Sequence, residues 1–195
     1  VAERLDVEIT FQPIDWAMKE TELASGNIDM IWNGYTITEE RKEKVLFSEP
    51  YLSNSQMSVT MADSDIETKA DLAGKVVATQ QGSAAFDAII ADETRIAAEF
   101  DGGTPILYPT FNDVFNDLES GRSDAIVVDE VLGRYTMKLK GEEKFAVLTD
   151  NFGDEEYGVG LRKEDVALKE AIDATMNDMR EDGTYDEIYA KWFAE

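Results

Sequence analysis

Ile28-Asp29-Met30-Ile31-Trp32-Asn33-Gly34-Tyr35-Thr36-Ile37-Thr38-Glu39-Glu40-Arg41 reads as a buried strand running out into a loop of ligand-binding residue types. Ile28–Trp32 supplies the apolar run. After it, Gly34 offers backbone groups, Thr36 a hydroxyl and Arg41 a guanidinium. The planar guanidinium fork matches a carboxylate in bidentate geometry. Open α/β sheets bind ligands at the carboxyl ends of their strands. This order of residues therefore predicts an α/β fold that holds a small carboxylate at a sheet edge. Asn33, Tyr35 and Gln80 border that edge and are candidates for tuning selectivity.

The segment just before this stretch recurs. Trp16, Leu23, Ser25-Gly26 and Asp29 are matched by Phe111, Leu118, Ser120-Gly121 and Asp124, at a constant offset of 95 residues. Each copy follows an N-cap residue type, Asp15 or Thr110. Each helix closes on a glycine suited to the left-handed cap, Gly26 or Gly121. Each then enters an apolar strand, Ile28–Trp32 or Ala125–Val128. Two related α/β lobes are the expectation.

The rest of the chain alternates strand and helix. Strands are predicted at Val7–Gln12, Gln56–Met61, Lys75–Gln80, Pro105–Tyr108 and Tyr157–Arg162. Helices are predicted from Gly82-Ser83 to about Ile90, and over Glu130–Leu139, Asp165–Arg180 and Tyr185–Phe193. The candidate crossings between lobes are Tyr51–Ser55 and Gly153–Glu156. Two crossings make the lobes interwoven: residues 1–52 and 157–195 in lobe 1, 56–152 in lobe 2, with 51–55 and 153–156 between them.

Composition narrows the function. Of 195 residues, 43% are hydrophobic, enough for a sizeable core. Lys and Arg number 18 against 42 Asp and Glu, a net charge of 18 − 42 = −24. Such a surface repels nucleic acid and anionic membranes. With no Cys and no His, the Ser-His-Asp and Cys-His nucleophile schemes, disulfides and the usual zinc sites are excluded. No apolar run approaches the ~20 residues of a membrane span. Gly158-Val159-Gly160 lacks the third glycine of a dinucleotide fingerprint, and Asp63-Ser64-Asp65 lacks the glycine of an EF-hand loop. No cofactor or metal site is predicted.

Three further positions carry two readings each. Gln80-Gln81-Gly82-Ser83-Ala84 lies between a strand and a helix, where unpaired amides and the helix dipole favour an anion. There Ser83 is either a plain N-cap or, with the Ala84 amide, part of an anion site. Asp129 ends the strand Ala125–Val128, and the 95-residue offset pairs it with Gly34. It is either the N-cap of the next helix or the acceptor for a ligand amine. Trp16 either staples its helix to the core or walls a cleft against a ligand's aliphatic or cationic part.

Taken together, several motifs resemble one family. Ser25-Gly26-x-Ile28-Asp29, Thr36-Ile37-Thr38-x-x-Arg41 and Phe47-Ser48-x-Pro50-Tyr51 are similar to the bacterial solute-binding proteins of polar amino-acid ABC importers. So are Asp71-Leu72-x-Gly74-Lys75, Gln81-Gly82-Ser83 and Asp182-Gly183-Thr184-Tyr185-Asp186-x-Ile188-Tyr189-x-Lys191-Trp192. The match runs along nearly the whole chain. The resemblance implies a two-lobe, type II periplasmic-binding-protein-like fold, each lobe a mixed sheet flanked by helices, closing on its ligand. It implies that Arg41 clamps the ligand α-carboxylate and that Thr36 and Gly34 assist. Ser83 and the Ala84 amide would hold the carboxylate from the second lobe. Asp129 would pair with the α-amino group, and Trp16 would form the side-chain wall.

The expected function is non-enzymatic capture of a polar amino acid outside the cytoplasmic membrane, in the periplasm or lipid-anchored, and delivery to an ABC permease. A sensor domain of the same fold is the alternative, followed by a dehydratase or lyase on this scaffold. No signal peptide is visible. Val1–Leu5 reads as the last turn of a helix, and the resemblance implies a first lobe lacking its N-terminal strand and most of its first helix. From that gap a dimer, a swapped assembly or a loosened first lobe is expected.

Overall fold

A computed structural model describes residues 1–193; Ala194 and Glu195, assigned to lobe 1 in the sequence, lie outside the described residues. The helices are α1 (Ala2–Leu5), α2 (Lys19–Ala24), α3 (Glu39–Lys44), α4 (Ala84–Ala91), α5 (Phe111–Glu119), α6 (Glu130–Lys140), α7 (Val166–Glu181) and α8 (Thr184–Phe193). The strands are β1 (Leu46–Phe47), β2 (Leu52–Met61), β3 (Val77–Gln80), β4 (Ile106–Tyr108), β5 (Ala125–Asp129), β6 (Phe145–Tyr157) and β7 (Gly160–Leu161). The chain divides into two compact units. Unit 1 comprises Val1–Ile14, Lys19–Leu52 and Glu156–Glu195, and unit 2 comprises Asp15–Met18 and Ser53–Glu155. Trp16, placed in lobe 1 from the sequence, thus groups with unit 2.

Unit 2 is built on a mixed sheet of order β4-β3-β5-β2-β6. β3 runs parallel to β4 and β5, and β2 runs antiparallel to β5. β5 reads Ala-Ile-Val-Val-Asp, and every residue is buried. Such a continuous apolar run suits a strand covered on both faces. On α5, Phe111, Val114, Phe115 and Leu118 form a buried stripe at helical spacing. Thr110 starts that helix by accepting from the Asp113 amide at 3.1 Å, while its hydroxyl donates to the Asp113 carboxylate at 2.6 Å. Gly121 ends it at φ 71°, matching Gly26 at φ 76° in the other copy of the repeat. Gly133 lets α6 ride close to the sheet, since a Cβ there would stand 2.9 Å from a methyl of the buried Val128.

Unit 1 has a two-stranded antiparallel sheet, β1 with β7, in which Leu46 faces Leu161. Its core joins Val159, Leu161, Ile172 and Met176, with Met30, Trp32, Tyr51 and Leu168 packed against them. Two predicted strands do not form. Ile28–Trp32 makes one bridge, Ile31 with Gly160. Beyond that bridge the Arg162 side chain holds the segment instead, its guanidinium donating to the Ile28 carbonyl at 2.8 Å and pairing with Asp29. Val7–Gln12 forms no regular element, and Phe11 is 84% exposed. Alternation supplies a face, but a strand also needs a neighbour to share its ladder. The predicted strand Tyr157–Arg162 appears as the end of β6 and the short β7, with Gly158 and Val159 between them.

Gly160 carries a second constraint. A Cβ at this position would meet the Tyr35 ring at 2.7 Å. That ring cannot retreat: it is fully buried, stacked on Phe47 at 5.0 Å, and its hydroxyl donates to Glu20 at 2.9 Å. Gly160→Ala is expected to cost about 1–3 kcal/mol by overpacking. Chemical denaturation tests this, and an unchanged midpoint would show that Tyr35 yields.

Candidate functional site

The first set of candidate residues lies in unit 1. Thr38 caps α3, its hydroxyl oxygen accepting from the Arg41 amide at 3.1 Å. This sets Arg41 in the first turn, with its side chain folded back over the loop before it. The guanidinium donates to the Thr36 carbonyl at 3.0 Å and sits 4.7 Å from the centre of the Tyr35 ring. Arg41 is only 5% exposed, yet it forms no ion pair among the described residues. A guanidinium has five N–H donors, and most of these have no hydrogen-bond acceptor among the described residues. Tyr35 cannot neutralise it, because burial, with Glu20 adding, pushes its phenol far above the ordinary range.

Around Arg41 the loop is held by its own backbone. Thr36 is buried and bridges to Tyr157. Gly34 has φ 62°, a left-handed conformation that favours glycine. Burial pushes the Tyr51 phenol up to about 12, opposed by a hydrogen bond from the Gly34 backbone. The backbone of Gly34, expected from the sequence to be open, is therefore partly engaged. Asn33 is exposed in the bend and makes no hydrogen bond among the described residues.

The second set lies in unit 2. Ser83 caps α4: its oxygen accepts from the Phe86 amide at 3.2 Å and its hydroxyl donates to the Gln80 carbonyl at 2.7 Å. Its single donor is thus used locally, as the N-cap reading expects. The Ala84 amide, at the first position of α4, has no hydrogen bond among the described residues, which is usual for a helix start. Gln80 points its amide nitrogen at the Pro109 carbonyl, 3.0 Å away. Trp16 opens a turn of 3₁₀ helix, Trp16–Met18, and is half-buried. Asp15 caps that turn by accepting from the Ala17 amide at 2.9 Å.

Asp129 does not cap α6 with its side chain. It is buried, and its Oδ1 accepts from Asn54 Nδ2 at 3.2 Å and Gln56 Nε2 at 2.9 Å. The cap on α6 comes instead from Asn54 Oδ1, which accepts from the Val131 amide at 3.1 Å. Glu155 Oε1 joins the same two amides. Asn54, Gln56 and Glu155 were not singled out in the sequence. The available signal was period two: Asn54, Gln56, Ser58 and Thr60 alternate along β2, all buried and all polar. A buried polar row of that kind implies specific partners.

Among the described residues no helix is long and apolar enough to cross a membrane. A family model described as bacterial extracellular solute-binding proteins, family 3, matches residues 1–195. The L-cystine-binding protein TcyJ of Escherichia coli K12 is 33% identical over 195 residues, spanning 99% of this chain and 70% of its own. An ABC uptake transporter substrate-binding protein from Streptococcus pneumoniae, crystallised with bound histidine, has a TM-score of 0.94 at 37% identity, covering 99% of this chain and 79% of that one. An ancestral arginine-binding protein bound to glutamine has a TM-score of 0.89 at 36% identity, covering 100% of this chain and 84% of that one.

Proposed function

The chain belongs to the bacterial extracellular solute-binding proteins, family 3, and from that premise we propose that it binds a polar amino acid outside the cytoplasmic membrane and delivers it to an ABC importer. The observation that carries this reading is Arg41, a buried guanidinium with no carboxylate partner among the described residues. Buried charges are costly unless paired. A ligand carboxylate supplies the missing partner.

The two sets divide the ligand between them. Unit 1 offers Arg41, with Thr36 and Gly34, to the α-carboxylate. Unit 2 offers the Ala84 amide at the start of α4 to the same carboxylate, with Ser83 shaping that turn. Asp129 takes the α-ammonium. Trp16 supports the ligand side chain, with Asn33 and Gln80 at the border. Hinge closure of the lobes on the ligand follows the pattern of such binding proteins. The named relatives bind different amino acids, cystine, histidine and glutamine among them. The proposal is accordingly for the amino-acid class, not for one member.

A thermal-shift screen tests this, using the twenty amino acids with cystine, ornithine and citrulline. A ligand present at 100 times its dissociation constant stabilises by about 2.7 kcal/mol. A raised melting temperature with one or a few amino acids is expected. No shift with any of them would remove the proposal.

A further inference from the structure

Glu155 has no part in the ligand contacts proposed above, yet it shares every side-chain hydrogen bond that Asp129 receives. Asn54 Nδ2 lies 3.2 Å from Asp129 Oδ1 and 2.6 Å from Glu155 Oε1. Gln56 Nε2 lies 2.9 Å from Asp129 Oδ1 and 2.9 Å from Glu155 Oε1. A primary amide nitrogen carries two N–H donors. Each amide can therefore give one proton to Asp129 and one to Glu155. The result is a closed clamp of two amides between two carboxylate oxygens.

The clamp also fixes which way the amides face. Asn54 cannot turn over without losing the Val131 amide, which its oxygen accepts. Gln56 stands directly opposite Asp129 in the β2–β5 register and is 1% exposed. Turned over, it would present its oxygen to two carboxylates. Both amides reach Asp129 through Oδ1, so Oδ2 carries no hydrogen bond among the described residues.

We propose that Glu155 is a positioning residue for ligand binding: by holding the second N–H of Asn54 and of Gln56, it keeps both amides on Asp129 Oδ1 and directs Oδ2 to the ligand ammonium. This rests on the assignment of Asp129 as the ammonium acceptor. Without Glu155, each buried amide has a spare donor, and the other oxygen of Asp129 is an acceptor on a group it already contacts. The ligand ammonium then competes for Oδ2 with the protein's own amides.

The test uses the full-length protein and isothermal titration with L-glutamine, L-histidine, L-arginine and L-cystine, followed by variants with whichever binds most tightly. Glu155→Ala is expected to weaken binding about tenfold. Glu155→Gln keeps an acceptor oxygen for both amides and is expected to stay within about threefold of wild type. In an Asp129→Asn background, Glu155→Ala is expected to add less than twofold, because its route to the ligand is already cut. Melting of the ligand-free variants, followed alongside, separates loss of fold from loss of binding. A wild type that binds while Glu155→Ala binds equally well overturns the inference. So does an equal loss with Gln and Ala, or a full tenfold loss in the Asp129→Asn background. A wild type that binds none of the four, nor any amino acid of the thermal screen, overturns the functional reading itself and this inference with it.

Discussion

Arg41→Met is expected to weaken amino-acid binding at least a hundredfold while leaving the ligand-free protein as stable as wild type, or more so. Both halves follow from the same geometry. The guanidinium is buried, donates to the Thr36 carbonyl at 3.0 Å, and has no carboxylate partner among the described residues. Desolvating such a cation without a counter-charge costs free energy in the unliganded state. Methionine retains much of the stem that packs on Tyr35 and removes that cost. Losing one side of a buried, hydrogen-bonded charge pair in a complex costs about 2–5 kcal/mol. Isothermal titration gives the affinity and calorimetry the melting temperature. Retained binding with a fall in stability would make Arg41 a structural residue and undo the assignment of the carboxylate site.

The second large effect concerns unit 2. Phe115→Ala is expected to destabilise by about 3–5 kcal/mol. Phe115 is 0% exposed in the middle of the α5 stripe, and its ring meets Phe145 edge-on, 5.7 Å between centroids. The substitution removes the contact between a helix and β6 and leaves a cavity that fully buried neighbours such as Val114 and Leu118 cannot fill without shifting. Urea titration followed by tryptophan fluorescence and circular dichroism measures the loss. A change below about 1 kcal/mol would show that the helix does not depend on this ring.

Sequence and structure agree where the signals are local. Thr110 marks the start of α5, Gly121 its end and the apolar run Ala125–Val128 the strand β5, because caps and buried strands are written in neighbouring residues. They part where a second segment decides. Ile28–Trp32 has a strand's composition, but it makes a single bridge, to Gly160, and is otherwise held by the side chain of Arg162, far along the chain. Val7–Gln12 alternates well but pairs with no strand among the described residues. The site shows the same division. Arg41 stands out by residue type and spacing. That it is buried with no counter-ion among the described residues is a property of the fold. The Asn54–Gln56–Glu155 clamp is less legible still, since it joins β2, β5 and β6, and only the polar alternation of β2 hints at it.

Unit 1 is assembled from pieces that leave the ribosome at very different times. Leu46 pairs with Leu161, Ile31 with Gly160 and Thr36 with Tyr157, so the sheet and these bridges join residues more than a hundred positions apart. Unit 2, by contrast, is almost entirely the continuous stretch Ser53–Glu155. During synthesis the whole of that stretch has been made before β7 exists. The apolar residues of Met30, Trp32 and Tyr51, which pack against the Val159–Met176 core, have no core to join until α7 is translated. For that interval the unit 1 residues Val1–Ile14 and Lys19–Leu52 wait for the partners they pack on, and they are the part of the chain that chaperones have most reason to hold.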